Sequence, residues 1–195
     1  MGAVSRAAAH IAFGGRVFRH EGLNTYTNGA VANAVKDIVG VQFRNMATVG
    51  GSIWGRFGFS DVLTVFLAMD AYVELYKGGI VPLEQFAKMK KDNDILVRLI
   101  VKKTPCQVVY TSMRNQRTDF PVIACAVAYM NGEYRASIGA RPARAILIRK
   151  ETAEGFAAFV AGNAPTEGNI RGSAAYRTHL IKVLVERSMN ELGGM

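Results

Sequence analysis

The sequence predicts an α+β fold, with helices and short strands first, then antiparallel strands, then two closing helices. The strongest evidence is the dipeptide Asn131-Gly132, which suits a type I′ turn and joins two apolar strand segments, residues 122–130 and 133–138. Further support comes from two amphipathic segments near the end, residues 151–161 and 174–192, in which apolar side chains recur at helical spacing.

The first predicted helix covers residues 28–39. Apolar residues such as Ala30, Val31 and Ala34 recur there three or four positions apart, and Gly40 stands where a C-cap belongs. A short apolar strand pattern follows, and then a predicted loop at Gly50-Gly51. Ser60-Asp61 marks the start of the next helix, residues 61–70.

The middle of the chain reads as strands separated by turns. Lys77-Gly78-Gly79 is predicted to be a hairpin turn, and Pro82-Leu83-Glu84 is predicted to begin a short helix. The predicted strands are residues 71–76, 80–81, 95–102 and 107–113. Lys103-Thr104-Pro105-Cys106 interrupts this pattern, and we place a domain boundary there.

The adjacent glycines Gly50 and Gly51 are the most informative local feature. Glycine reaches backbone conformations closed to other residues, and it leaves main-chain N–H groups open to a ligand. Thr48 and Ser52 place hydroxyl groups on either side. This combination favours an anion, although an ordinary tight turn has the same local sequence.

Composition limits the classes of function. The formal charge of +9 indicates a negatively charged partner, but aromatic residues are not interleaved with the basic clusters, so nucleic-acid binding is the minority interpretation. No apolar run is long enough to cross a bilayer, and the first residues lack the pattern of a secretory signal. A cytoplasmic protein without a membrane partner is expected.

No catalytic side-chain arrangement or metal site is predicted. Cys106 and Cys125 have no CxxC spacing and are expected to be small buried hydrophobic residues. His10, His20 and His179 show no metal-ligand spacing and no neighbouring nucleophile.

Several motifs follow one another in a fixed order. They are Arg44-Asn45 before Thr48-Val49-Gly50-Gly51, Ser60-Asp61, Asp119-Phe120-Pro121, Ser137-Ile138-Gly139-Ala140 with Arg141-Pro142-Ala143-Arg144, and Arg171-Gly172-Ser173-Ala174-Ala175-Tyr176-Arg177. From about residue 33 to the C-terminus, this series resembles the flavoprotein subunits of molybdenum hydroxylases, the xanthine dehydrogenase and carbon monoxide dehydrogenase family.

The resemblance implies two domains. Residues 1–103 would form an N-terminally truncated FAD-binding domain, its second subdomain alone, and residues 104–195 the family's C-terminal α+β domain, an antiparallel sheet with C-terminal helices. Family members begin with a further subdomain that has its own glycine-rich loop. Residues 1–40 contain only the Gly14-Gly15 pair, without the strand, loop and helix expected around it.

The resemblance also implies FAD as the cofactor. Amides and hydroxyls at Thr48, Gly50, Gly51 and Ser52 would hold its phosphate oxygens, with Asp61 accepting hydrogen bonds from sugar hydroxyls. Ala47 and Ser60 would flank these contacts. Ser52 departs from the Asn or Asp usual in the family. Trp54 would pack either beside the cofactor or in the core, and Thr111 or Ser112 would replace a family lysine near the flavin.

The implied function is electron transfer in a multisubunit hydroxylase. A molybdenum cofactor subunit would oxidise the substrate, an iron-sulfur subunit would relay single electrons, and this chain would pass electron pairs from FAD to NAD or another acceptor. Two alternatives stay open: a flavin-free module that docks partner subunits, and a basic nucleic-acid binder.

Overall fold

A computed structural model describes residues 21–193 of the chain. Its helices and antiparallel sheets confirm the predicted α+β class. The helices are α1 (Glu21–Tyr26), α2 (Ala30–Val35), α3 (Val41–Met46), α4 (Val49–Trp54), α5 (Asp61–Leu67), α6 (Leu83–Lys88), α7 (Phe156–Asn163) and α8 (Ala174–Gly193). The strands are β1 (Ala71–Leu75), β2 (Gly79–Pro82), β3 (Leu96–Val101), β4 (Cys106–Met113), β5 (Ile123–Met130), β6 (Glu133–Gly139) and β7 (Ile146–Lys150).

The strands form two antiparallel sheets, with strand orders β2-β1-β3 and β4-β5-β6-β7. The hairpin predicted at Asn131-Gly132 is confirmed, because Met130 pairs with Glu133 across the turn. Both turn residues have positive φ, 53° for Asn131 and 80° for Gly132, as a type I′ turn requires.

The larger sheet lies between two layers of helices. Alternate residues of β5 point to opposite faces of this sheet. Ala124, Ala126 and Ala128 pack into a core shared with α2, α4 and α5, whereas Cys125 and Val127 pack into a core shared with α7 and α8. The small alanine side chains let α5 lie close to the sheet, and all seven α5 residues are buried.

The helix predicted over residues 28–39 is wrong in extent. The structure has α1 at Glu21–Tyr26, which was not predicted, and α2 covers only Ala30–Val35. Val39 has a φ of 45°, so the chain leaves the helical path before Gly40. Gly40 is extended and precedes α3 as its N-cap, so it is not a helix C-cap.

The loop predicted at Gly50-Gly51, with a strand before it, is also wrong. Both glycines lie in α4, and α3 replaces the expected strand. Val49 and Ile53, one turn apart, are buried in the core, and Thr48 caps the helix. This burial and capping outweigh the low helix propensity of the two glycines.

Two differences concern the second half of the chain. β7 at Ile146–Lys150 was not predicted; it pairs with β6, from Ile138↔Ile146 to Tyr134↔Lys150. The helix predicted over residues 151–161 begins only at Phe156, because Gly155 before it takes a left-handed conformation with φ of 64°.

Gly14, Gly15, His10 and His20 lie outside the described residues. Within residues 21–193, none of the helices combines the length and the apolarity needed to span a membrane.

Candidate functional site

A cavity of about 490 Å³ opens between the N-terminal helices and the loop that joins β4 to β5. This volume lies in the range of roughly 300–1,000 Å³ that is usual for ligand pockets. The lining residues are Ile38, Val39, Phe43, Ala47, Thr48, Gly51, Ser52, Phe57, Phe59, Ser60, Asp61, Val62, Arg114, Thr118, Asp119 and Phe120.

Six of the residues predicted from sequence line this cavity together: Ala47, Thr48, Gly51, Ser52, Ser60 and Asp61. Gly50, the seventh, lies beside Gly51 in the first turn of α4. The six come from two helix starts, which the chain brings next to each other. The Ser60 hydroxyl lies 3.3 Å from the Ser52 carbonyl oxygen and donates a hydrogen bond to it.

Two of the predicted anion-binding amides already have partners within the chain. The Gly51 N–H donates to the Thr48 Oγ1 at 3.0 Å, and the Ser52 N–H donates to the Thr48 carbonyl oxygen at 3.1 Å. The hydroxyl of Ser52 remains at the cavity wall, on a half-buried residue. The glycine pair therefore offers fewer amides to a ligand than an open loop would.

Asp61 has buried partners on the far side of the predicted domain boundary. It is the first residue of α5 and only 5% exposed. Its Oδ1 accepts hydrogen bonds from the Tyr110 hydroxyl and from the Arg114 Nη2, the latter at 2.5 Å. Sequence reasoning predicted a cavity position for Asp61 but missed both partners.

Burial changes the pKa values of both Asp61 and Tyr110. Loss of hydration raises the pKa of the Asp61 carboxyl, and the hydrogen bonds from Arg114 and Tyr110 oppose this change in part. Burial also raises the pKa of the Tyr110 hydroxyl, and the negative charge of Asp61 raises it further. Tyr110 is therefore a neutral hydrogen-bond donor at physiological pH.

Arg114 holds the loop that forms one wall of the cavity. It follows β4 directly, and its Nη1 donates to the Asp119 carbonyl oxygen at 2.6 Å. The Asp119 carboxylate in turn pairs with Arg171, with 3.0 Å between Oδ1 and Nη2. The Asp119-Phe120-Pro121 motif in this loop is visible in the sequence. The motif did not indicate that the loop lines the cavity.

Three phenylalanines form a row along the cavity, which we call the phenylalanine ladder: Phe57, Phe59 and Phe120. The rings of Phe57 and Phe59 are stacked, with centroids 5.2 Å apart, and those of Phe59 and Phe120 are tilted, with centroids 4.4 Å apart. All three side chains are 40–50% exposed. Flat apolar faces of this kind suit a planar aromatic ligand.

Three other candidates lie away from the cavity wall. Trp54 packs against Phe86, with ring centroids 6.0 Å apart, and is partly buried against the N-terminal core. Thr111 lies 3.3 Å from Ser188 of α8, between the two side-chain oxygens, on the opposite face of the sheet. Ser112 shares the face of Tyr110, because residues two apart in a strand point the same way.

In the part of the chain that the structure describes, no group of three or more His, Cys, Asp and Glu side chains could hold a metal ion. His179 is exposed on α8. The basic clusters of the sequence lie at Lys88-Lys90-Lys91, at Lys102-Lys103 and at Arg141-Arg144-Arg149. Three of these side chains pair with carboxylates: Lys88 and Arg149 with Glu84, and Lys102 with Asp70.

A family model matches just over half of the chain. Residues 1–103 match the family model described as the FAD binding domain in molybdopterin dehydrogenase. The uncharacterized protein YgfM, from Escherichia coli K12 and from E. coli O157:H7, is 26% identical over 162 residues. That alignment covers 80% of this chain, and the chain spans only 62% of the length of YgfM.

Solved structures share the fold. A chain of quinoline 2-oxidoreductase from Pseudomonas putida 86 superposes with a TM-score of 0.73 at 18% identity, covering 90% of this chain and 70% of that one. A chain of carbon monoxide dehydrogenase from Hydrogenophaga pseudoflava, in a form that lacks the Mo-pyranopterin moiety of the molybdenum cofactor, gives 0.72 at 21% identity. There the match covers 86% of this chain and 68% of that one.

Proposed function

Because the chain belongs to the family of FAD-binding domains in molybdopterin dehydrogenases, we propose that it is the flavin subunit of a molybdenum-containing oxidoreductase. FAD is the cofactor, as the resemblance in the sequence predicted. The single observation that carries the proposal is that six residues predicted to bind the cofactor line one cavity with the phenylalanine ladder.

The chemistry of the cavity wall fits a flavin dinucleotide. The wall carries the hydroxyl groups of Thr48 and Ser52, which can donate to phosphate or sugar oxygens, whereas the Ser60 hydroxyl donates its proton to the Ser52 carbonyl oxygen. The wall also carries the phenylalanine ladder, which suits the flat faces of an aromatic ring system. The wall therefore combines hydroxyl groups with aromatic faces, and a flavin dinucleotide likewise combines phosphates and sugars with an aromatic ring system.

We assign the following roles to the chain's own residues. Thr48 and Ser52 would hold phosphate oxygens, and Gly51 would let the ligand approach the start of α4 closely. Asp61 would reach ligand hydroxyls only with the oxygen not used by Tyr110 and Arg114, so its main task is to fix the cavity wall. Ala47 and Ser60 would flank these contacts.

Bound FAD would supply the electron-transfer chemistry, taking single electrons from iron-sulfur clusters and passing pairs to NAD or another acceptor. The chain would bind and orient the cofactor. An iron-sulfur subunit and a molybdenum cofactor subunit are the proposed partners, in the cytoplasm. The substrate would be chosen by the molybdenum subunit.

One observation favours a second candidate, a flavin-free module that docks partner subunits. The amides of Gly51 and Ser52 are bonded within the chain, and several large apolar side chains near the cavity are exposed, including Phe43 and Met46. Exposed apolar patches of this kind often mark protein interfaces.

Flavin binding by the purified full-length chain separates these candidates. The chain should quench FAD fluorescence on titration, bind FMN and riboflavin more weakly, and release FAD on denaturation. Folded protein that shows no saturable binding of FAD would leave only the docking role.

A matched pair of variants tests the site itself. Ser52→Ala removes a hydroxyl from the cavity wall and should raise the Kd for FAD roughly tenfold to a hundredfold, because a hydrogen bond to a charged phosphate contributes about 1.5–3 kcal/mol. Thr152→Ala changes an exposed residue that does not line the cavity, and this variant should leave the Kd unchanged. Equal Kd values for the two variants would show that FAD binds elsewhere.

A further inference from the structure

Among residues 21–193, Arg177 has the largest fully buried side chain, with only 1% of its surface exposed. It lies in the first turn of α8, yet its guanidinium group reaches the larger sheet. Its Nη1 donates to the carbonyl oxygens of Val122 and Ala140, and its Nη2 donates to the Asn169 Oδ1. All three acceptors are neutral. Burial accordingly lowers the pKa of the Arg177 guanidinium.

The two carbonyl groups belong to strand ends at the same edge of the sheet. Val122 immediately precedes β5, and Ala140 immediately follows β6. Neighbouring antiparallel strands bring the start of one and the end of the other together, so one guanidinium can bridge both. The planar arrangement of N–H donors in arginine suits such a bridge, and lysine has a single ammonium group that cannot reproduce it.

Both strand ends connect directly to the phenylalanine ladder. Phe120 lies two residues before Val122 in the chain. The Ala140 N–H donates to the Gly58 carbonyl oxygen at 2.6 Å, and Gly58 lies between Phe57 and Phe59. Arg177 thus holds, through backbone groups, the segments that carry all three rings.

The third acceptor extends the connection to the outer rim of the ladder. The Asn169 Oδ1 also accepts a hydrogen bond from the Arg171 N–H at 2.9 Å. The Arg171 guanidinium lies 5.3 Å from the centre of the Phe120 ring and pairs with Asp119. Loss of the Arg177 contacts would therefore loosen Phe120 from two sides.

We propose that Arg177 is a positioning residue for the phenylalanine ladder, and so for the aromatic part of the bound cofactor. The effect of Arg177 on cofactor binding rests on the proposed FAD-binding function. Its effect on the positions of the three rings does not depend on that function. Space filling alone does not account for a buried arginine, since an apolar side chain of similar size would pack there at lower cost.

The test compares Arg177→Lys with Leu184→Ala. Leu184 is buried on the same helix, in the core of α7 and α8, and is not bonded to the strand ends. The full-length chain is labelled with fluorophenylalanine, and the ¹⁹F resonances of Phe59 and Phe120 are assigned with Phe59→Leu and Phe120→Leu. Asn169→Ala, a change at an exposed residue, provides a milder variant if Arg177→Lys does not fold.

We expect Arg177→Lys to shift or broaden the Phe59 and Phe120 resonances without FAD, and to raise the Kd for FAD at least about tenfold, since small misplacements of binding groups are costly. Leu184→Ala should lower the Tm as much but leave the resonances and the Kd near those of the wild type. Asn169→Ala should change the Phe120 resonance in the same direction, to a smaller extent.

Unchanged resonances in Arg177→Lys, or in Asn169→Ala where the former does not fold, would overturn the proposal. Equal effects of Arg177→Lys and Leu184→Ala would also overturn it, because the role would then be general stability. If the wild-type chain does not bind FAD, the proposed function fails, while the ¹⁹F spectra still decide the role of Arg177.

Discussion

Gly58 shows how a single residue shapes the cavity wall. A Cβ atom placed on it would lie 1.9 Å from the Ala143 carbonyl oxygen, far inside contact distance. The missing side chain lets the segment after β6 lie directly on the Phe57–Phe59 segment. The Ala140 N–H can then donate to the Gly58 carbonyl oxygen.

Gly58→Ala is expected to destabilise the protein by about 2 kcal/mol or more, because the added methyl group meets backbone atoms that cannot rotate away. The free energy of unfolding from urea titrations measures this effect. Gly162→Ala is the matched control. A Cβ there meets nothing within 4 Å, and alanine favours the helix, so we expect a gain of up to about 1 kcal/mol. Equal stabilities of the two variants would contradict the packing argument.

The sequence singled out Gly50-Gly51 but not Gly58, where the structure shows a close contact between backbone segments. Gly50-Gly51 forms a recognisable motif because two glycines are adjacent, whereas Gly58 is a single glycine between two phenylalanines. Adjacency is visible in a sequence. The need for glycine at position 58 comes from its contact with Ala143, which is distant in the chain. The residues next to Gly58 in the sequence give no indication of that contact.

At the scale of elements, the two short helices α4 and α5 bring the predicted site residues together. Each begins with a hydroxyl residue that caps it: the Thr48 side chain accepts from the Gly51 N–H, and the Ser60 side chain accepts from the Leu63 N–H. The helix start at Ser60-Asp61 was predicted correctly because capping is a local interaction with a clear residue preference.

Ser60→Ala should lower the free energy of unfolding by about 1 kcal/mol, the usual cost of losing an N-cap. Chemical denaturation measures the change. Ser60→Thr retains a capping hydroxyl and should restore most of the stability. If Ser60→Thr is as unstable as Ser60→Ala, the loss comes from packing around residue 60 and not from the cap.

The errors at this scale share one cause. The helices α3 and α4 have six residues each and are not stable by themselves, so they depend on tertiary packing. Their local helix propensity therefore says little about whether they form. The hairpin at Asn131-Gly132 was predicted correctly because asparagine and glycine tolerate the positive φ angles that a type I′ turn requires, so the residue types themselves indicate the turn.

At the scale of the whole molecule, the larger sheet joins the two halves of the chain. Ala124, Ala126 and Ala128 complete the core of the N-terminal helices, and Asp61 is bonded to Tyr110 and Arg114 across the boundary at residues 103–104. The division into residues 1–103 and 104–195 stays a prediction. Given this shared core, we expect the two segments to unfold as one unit.

Asp61→Ala should destabilise the chain by about 3–5 kcal/mol, because it leaves the Arg114 guanidinium buried without its carboxylate partner. The double variant Asp61→Ala/Arg114→Met removes that charge as well and should recover part of the loss. Urea unfolding of the two single variants and the double variant gives the coupling energy. Additive losses would show that the pair is not coupled.

The sequence by itself determined the α+β class, the central hairpin, the start of α5, the family resemblance and six of the residues that line the cavity. These features depend on turn chemistry, capping and periodicity, which act over a few neighbouring residues. Only the tertiary structure decided that Gly50-Gly51 is helical, that Asp61 is bonded to residues 49 and 53 positions away, and that Arg177 bridges the carbonyl groups of Val122 and Ala140. Such contacts arise when distant segments are packed around a shared core, and burial, more than local preference, sets their energies.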